Sequence, residues 1–520
     1  MTEKLYWLFG FVGLYWAYCL YWGIKGARSA KTSTDYFLAG GSIGVWVFVL
    51  AATATSFSGW TFVGHPGKIF TDGLPYAFAS FYALTIPLTG VLFLRRQWVL
   101  GKAYGYITPG EMYSDYYGGN SIRLLTVLVA FLFSVPYLGV QLRASGDLFN
   151  VLTDGLISVD VGMFALSTVV MIYVASGGLK SVAFVDCAQA ILLAVGIMVL
   201  GGVTLNYLGG WSSFTAGLAD LVRSDIESGN NLTLDGFSKK VAIPGSIQMV
   251  PQGSDSVGGS WTGIMCMTYM FALMGIQSSP AFSMWAFSNK TSQAFRWQQV
   301  FASALFIGVL LFTFTIIQGI GGNLLIERGV IESANDKTLV PQLINLLSDS
   351  TPWLVGLLAV CALAAMQSTG AAYMSTFSAM VTRDIFTKFI NPNATDSVQK
   401  LCGRIFVIIV TLAALFVAAN STQAIVMLGG LAVAYGFQMY PALIGLCYYK
   451  GFTKKGVVAG LIVGLIAVTL TDRTSAWFNV PWGAYPLTIH SAGWGIIFNL
   501  FVTFFVSFLL GESSKEKNKK

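Results

Sequence analysis

The stretch Val47 to Gly67, VFVLAATATSFSGWTFVGHPG, begins as an apolar helix and fills its middle with small and hydroxyl residues. Ser58, Gly59, Pro66 and Gly67 then remove side chains or a backbone donor where a buried helix should continue undisturbed. A helix broken halfway across a membrane leaves carbonyls without donors, and these survive only when buried in protein, lining water or coordinating something. A second stretch, Leu363 to Ser378, LAAMQSTGAAYMSTFS, puts Ala365, Ser368 and Thr369 at i, i+3 and i+4, on one helical face. Carbonyls freed by the first stretch, with two hydroxyls and a spare carbonyl from the second, would form a five-oxygen cage suited to a hard monovalent cation such as sodium. The same spacing also suits close helix packing, or hydroxyls bonded back to their own backbone. Spacing alone leaves those alternatives open.

The elements that must hold these residues are membrane helices. Of the 520 residues, 55% are hydrophobic and only 10% charged, with a mean hydropathy of +0.68, which describes an all-α polytopic membrane protein. Apolar runs of about 18 or more residues predict about thirteen spans. Their limits are 5–24, 43–71, 75–94, 122–152, 158–176, 183–207, 259–287, 298–323, 352–381, 401–419, 422–448, 456–471 and 490–511. The N-terminal MTEKLYWLFGF has no basic leader and no small-residue cleavage site, so its hydrophobic run is expected to be a retained span. Six cysteines lie scattered in apolar segments without metal-binding spacing and read as small apolar fillers.

With the N-terminus outside, about 21 of the 30 Lys and Arg fall on the inner side and about 8 outside, with Arg143 within a span. The inner clusters include Lys25, Arg28 and Lys31; Arg95, Arg96, Lys102 and Arg123; Lys450, Lys454 and Lys455; and the tail from Lys515 to Lys520. An odd number of spans keeps that tail cytoplasmic. The net charge of +7 thus speaks to topology in the plasma (inner) membrane and not to nucleic acid. Two long polar connections, Leu208 to Gly258 and Leu324 to Asp349, are expected outside as surface caps. The second span is interrupted around Thr55 to Gly59 and the seventh around Gly275 to Pro280. Five spans separate the two breaks, an odd offset that inverts the second, and paired broken helices in inverted halves point to a secondary transporter's binding site.

Several blocks, in order, resemble the sodium/solute symporter family, whose members carry proline, pantothenate, sialic acid and sugars. DYFLAGGSIG (Asp35 to Gly44) precedes the broken helix, and ATSFSGWTFVGHPG resembles the family's first core helix. ITPGEMYSDYYG resembles its inner loop, and SGGLKSVAFVDCAQ (Ser176 to Gln189) its glycine-pair and aspartate block. LAAMQSTGAAYMSTFSAMVTRDIF and Tyr440 to Gly464 resemble two later helices. The resemblance implies the leucine-transporter-like fold in one transmembrane domain. A leading helix (5–24) would precede a first inverted repeat (43–207) and a second (259–448), followed by two additional helices (456–511) and a basic cytoplasmic tail (512–520).

It also implies a sodium site from the carbonyls of Ala54, Phe57 and Ala365 and the hydroxyls of Ser368 and Thr369. Phe57 replaces a usual aliphatic residue, without consequence for a carbonyl ligand. Where sialic acid carriers hold a second sodium, this chain has Ala371 and Ala372, so one sodium per cycle is expected. At about 100 mV, one sodium with a tenfold gradient supplies about 3.7 kcal/mol, enough to accumulate a neutral solute a few hundredfold. Asp186 matches the family's acidic residue near the second ion site. It is a coupling or gating candidate, its alternative role being to pair with a nearby basic or backbone group.

Positions matching the family's solute contacts are Ser56, Ser58, Trp60 and Thr61 on the broken helix, Tyr76 and Ser80 on the next span, Tyr137, and Gln277 at the second break. None is charged. Tyr137 replaces the arginine of sialic acid carriers, Ser56 the aspartate of proline carriers, and Gly41 an arginine common in the block before the broken helix. The set favours a small neutral or zwitterionic solute, amino-acid-like. Arg143 and Asp147, four residues apart, are expected to satisfy each other. The expectation is sodium-coupled symport by a monomer. A proton-coupled carrier using Asp186 or His65 and a non-transporting sensor are the alternatives. An enzyme is not expected, since the sequence offers no nucleophile, acid/base or metal constellation.

Overall fold

The structure, a computed structural model, describes residues 2–233, 236–242, 261–420 and 425–511. The expected basic tail 512–520, residues 234–235 and 243–258 of the first long connection, 259–260 of the seventh expected span and 422–424 of the eleventh lie outside the described residues.

Among the described residues the chain is helical, and strand pairing is confined to isolated bridges at Ile43 with Asn289 and Leu232 with Ser238. In order the main helices are α1 (Glu3–Ser29), the bent pair α2 (Val45–Ser56) and α3 (Trp60–Asp72), α4 (Leu74–Tyr104), α5 (Pro109–Tyr117), α6 (Asn120–Leu152) and α7 (Val159–Tyr207). There follow α8 (Trp211–Ser228), α9 (Gly263–Ser278), α10 (Pro280–Ser288), α11 (Gln293–Glu327), α12 (Leu339–Asn345) and α13 (Pro352–Ile390). The last four are α14 (Asp396–Asn420), α15 (Met427–Cys447), α16 (Lys454–Thr471) and α17 (Ser491–Leu510).

Ten of these helices are long and apolar enough to cross a membrane, or eleven with the bent pair as one span, against the thirteen expected. The difference falls in two places. The stretch α7 is two helices joined at Gly178, where φ 62° and ψ −156° leave helical geometry between the two spans expected at 158–176 and 183–207, so it counts once although two spans are expected there. The seventh expected span is divided at Ser279, extended at φ −63° and ψ 156°, into α9 and α10, each too short to qualify alone.

Helix α13 is the axis of the bundle. Its apolar window is 89% buried, whereas that of α17 is 22% buried and turns Phe501, Phe504, Phe505 and Phe508 outward, as a lipid-facing helix does. Alanine, glycine and hydroxyl residues from Ala359 to Thr376 let neighbours approach α13 closely, and α1 meets α7 through Gly23 and Gly26 in the same way. The end of α13 is held by α5. A capping box between Thr108 and Glu111 starts α5 at Pro109, Glu111 accepts from Arg383 Nε at 3.0 Å, and Thr108 Oγ1 and Arg123 Nη1 both donate to Asp384 Oδ1 at 3.0 Å.

Beyond α8, the connection folds back onto the bent pair. Lys240, buried, donates from Nζ to the Phe70 carbonyl at 2.6 Å, while its own carbonyl accepts from Leu74 N at 2.9 Å. A cation there meets the unsatisfied carbonyl end of α3. Burial holds the Lys240 amine at about 8, below its ordinary 10.5, against the pull of Asp225 and Asp72. The folded protein therefore releases this proton before the unfolded chain does, and stability should rise with pH between about 8 and 10.5. Wild type and Lys240→Met, compared by thermal unfolding across that interval, should differ by a midpoint gap that shifts in favour of wild type as pH rises; a constant gap would contradict this placement.

Candidate functional site

The break between α2 and α3 has a specific hydrogen-bond signature. Phe57 is extended, at φ −122° and ψ 116°, and the two helices meet at 52°. In an unbroken helix the amides of residues 58–61 would bond the carbonyls of Ala54, Thr55, Ser56 and Phe57. Instead Ser58 N donates to Thr61 Oγ1 at 3.3 Å, Gly59 N to Gln141 Oε1 at 3.0 Å, Trp60 N to Ser58 Oγ at 3.1 Å and Thr61 N to Ser58 O at 2.8 Å. Four consecutive buried carbonyls lose their intrahelical donors. Gly59 is glycine because a Cβ would stand 2.5 Å from Met366 Cγ and 2.8 Å from Gln141 Oε1.

One of those carbonyls faces α13. Ser368 Oγ donates to the Ala54 carbonyl at 3.1 Å and to Ala365 O at 3.1 Å, and Thr369 Oγ1 donates to the Ala54 carbonyl at 3.2 Å. Four of the five expected sodium ligands, Ala54, Ala365, Ser368 and Thr369, thus converge; Phe57 is the buried residue at the bend itself. The donors are hard, uncharged oxygens, the kind that replace the hydration shell of a monovalent cation. Among the described residues no three His, Cys, Asp or Glu side chains gather where a metal could be held.

The eight solute positions are all buried. Ser58 Oγ lies 3.5 Å from Tyr137 OH, and Tyr137 packs in turn on Phe133 and Tyr373. Thr61 caps the break, and Ser56 Oγ bonds back to Ala52 O at 3.0 Å. Tyr76 OH and Ser80 Oγ are both taken by His65, at 2.8 Å from Nδ1 and 2.8 Å from Nε2. A neutral imidazole has one donor and one acceptor nitrogen, so these two bonds account for the ring. Trp60 lies against Tyr82, ring centroids 4.9 Å apart and planes tilted by 51°, with its Nε1 unpartnered, and Gln277 has both amide atoms unpartnered. Hydroxyl, amide and aromatic groups line the region.

Asp186 lies on α7 with Cys19 of α1 and Tyr173 as neighbours, fully buried and with neither carboxylate oxygen hydrogen-bonded. The pairing that would have made it structural does not form. Arg143 and Asp147 do pair, Nε to Oδ2 at 3.3 Å. Sequence reasoning missed Gln141, which anchors the break, and His65's hold on Tyr76 and Ser80. The available signal for Gln141 was an amide inside an apolar span, one turn after Tyr137.

An all-helical membrane protein with a span broken beside a pair of hydroxyls belongs to the carriers that move ions and solutes through a discontinuous helix. Residues 36–464 match the family described as "SSF: Sodium:solute symporter family", and the chain belongs to that family. It is 25% identical over 464 residues to the sodium/proline symporter of Salmonella typhimurium, covering 87% of this chain and 85% of that protein. It is 23% identical over 502 residues to a monocarboxylate transport permease protein of Rhizobium johnstonii, covering 94% of each. Its fold is that of a Na+-coupled sialic acid symporter solved in a substrate-bound outward-open state, with a TM-score of 0.74 at 17% identity over 97% of this chain and 98% of that one. The protein is therefore a multi-pass plasma-membrane carrier of leucine-transporter-like fold, not an enzyme.

Replacing Gln141 by Leu would leave the Gly59 amide buried without an acceptor, at a cost of about 1–3 kcal/mol. The thermal midpoint of Gln141→Leu should fall by about 1–3 °C relative to wild type, and an unchanged midpoint would contradict the anchoring role.

Proposed function

We propose that this carrier couples the import of a small neutral or zwitterionic solute, amino-acid-like, to one sodium ion per cycle. The observation that carries the proposal is the Ala54 carbonyl, released by the break and met by the Ser368 and Thr369 hydroxyls. Sodium, as co-substrate, would sit between the Ala54 carbonyl and the oxygens of the two hydroxyls, whose hydrogens would turn away from it, with Ala365 and Phe57 adding carbonyl oxygens. Binding there would hold the bent pair against the axial helix and so set Ser58, Trp60 and Thr61 for the solute. Alternating access would follow from motion of the repeats 43–207 and 259–448 about this point, with the N-terminus outside and the C-terminus cytoplasmic, as the basic residues favour. A monomer suffices. Ala371 and Ala372 offer no hydroxyl to a second ion. The solute positions carry no charge, which favours an amino-acid-like zwitterion over a strong anion, although relatives are named for both proline and monocarboxylates.

One observation favours a second reading, coupling to protons, namely the buried Asp186 with both oxygens unpartnered. Uptake into vesicles separates the two. Sodium coupling predicts uptake that requires sodium and a half-saturating sodium concentration raised about ten- to a hundredfold in Ser368→Ala and Thr369→Ala, as loss of one ion-bound hydroxyl implies. Uptake that persists without sodium and collapses with a protonophore and in Asp186→Asn would select proton coupling instead.

A further inference from the structure

Two amides converge over a glycine at the seam of α4, α9 and α11. A Cβ on Gly90 would lie 2.2 Å from Gln299 Nε2 and 2.4 Å from Gln277 Oε1, so the space left by that missing side chain is filled by the two amide heads. Both residues are 1% exposed, and Gln277 Oε1, Gln277 Nε2 and Gln299 Oε1 have no hydrogen-bond partner. Buried polar atoms are almost always paired, and three orphans at one spot mark a place where a partner is missing. The local backbone aims them there. Residues Trp297–Ile307 form a π-helix, a widened turn frequent at functional sites, and Gln298 Nε2 bonds Ser303 Oγ, five residues on, at 2.9 Å. Gln298 Oε1 accepts from Gln299 Nε2 and so holds the second amide in place. Gln277 sits in the last turn of α9, immediately before the second break.

We infer that the solute site extends from the break in α9 onto α11, and that Gln277 and Gln299 over Gly90 form a subsite for an uncharged hydrogen-bonding group of the solute, a hydroxyl or a carboxamide. The inference rests on the carrier reading above and specifies its substrate. The unpartnered atoms include both acceptors and a donor, which a group that itself donates and accepts can satisfy. A carboxylate would face the two amide oxygens, and an ammonium would face the amide N–H groups. A site built to hydrogen-bond a solute rejects an analogue lacking the group, because its own buried atoms are then left unpaired.

The test uses purified full-length protein and near-isosteric solute pairs: threonine against valine, asparagine against leucine, and lactate against isobutyrate. Thermal stabilisation is titrated in sodium and again in potassium. In wild type, the polar member of at least one pair should stabilise at concentrations about tenfold lower or more than its apolar partner. In Gln299→Leu and in Gly90→Ala, that preference should fall below about twofold while stabilisation by sodium alone persists. Sodium stabilisation also reports that each variant is folded, and if one fails to fold the other decides. No polar preference in any pair, as expected if the amides serve only a buried water, or a preference surviving in the folded variants, overturns the inference. A preference equal in sodium and potassium would sink sodium coupling alone and leave the subsite standing.

Discussion

A peptide carbonyl inside a bilayer has no water to turn to, and the arrangement around residues 54–57 follows from that constraint. Interrupting α2 at Phe57 strips donors from four carbonyls at once. A lipid-facing helix could not bear this, since each unsatisfied group costs several kcal/mol. The break is possible because it is enclosed. Gln141 of α6 takes the Gly59 amide, Thr61 takes Ser58, and Ser368 and Thr369 of α13 cover the Ala54 carbonyl. The burial of α13 and its small residues are what allow its hydroxyls to come within 3.2 Å of a neighbouring backbone. The same oxygens that hide the defect are the ones a desolvated cation would use.

How much of this was legible in the sequence depends on the range of the interaction. The break itself was local: Ser58 and Gly59 mark it, and the observed gap between Ser56 and Trp60 falls within the stretch expected. Pro66 does not break α3: it directly follows the π-helical turn Trp60–Gly64, in which His65 N donates to Trp60 O five residues back, and a widened turn accommodates the missing N–H. The face formed by Ala365, Ser368 and Thr369 was legible from helical spacing, although which carbonyl it met was not. Gln141 lies 82 residues from the amide it satisfies, and no local pattern announces such a bond. The span count exceeds the structural one because Val159–Tyr207 counts once although Gly178 divides it between two expected spans, and because Ser279 cuts the seventh span into two short helices.

The polar interior also shows what kind of cargo the fold can tolerate. Charges are few and committed, with Arg143 on Asp147, Arg123 on Asp384 and Arg383 on Glu111, whereas the groups near the two breaks are hydroxyls, amides and aromatic rings. Neutral donors and acceptors are less costly to keep desolvated than ions, so such a site can lie buried without a solute. Asp186 is the exception, a buried carboxyl on α7 with no hydrogen-bond partner.

The most direct measurement is a density map of the purified carrier in sodium, paired with one in potassium. The account predicts ion density in sodium alone, between the Ala54 carbonyl and the hydroxyls of Ser368 and Thr369, with Phe57 and Ala365 carbonyls completing the shell. Ion density elsewhere, with both hydroxyls still hydrogen-bonded to the Ala54 carbonyl in saturating sodium, would contradict it.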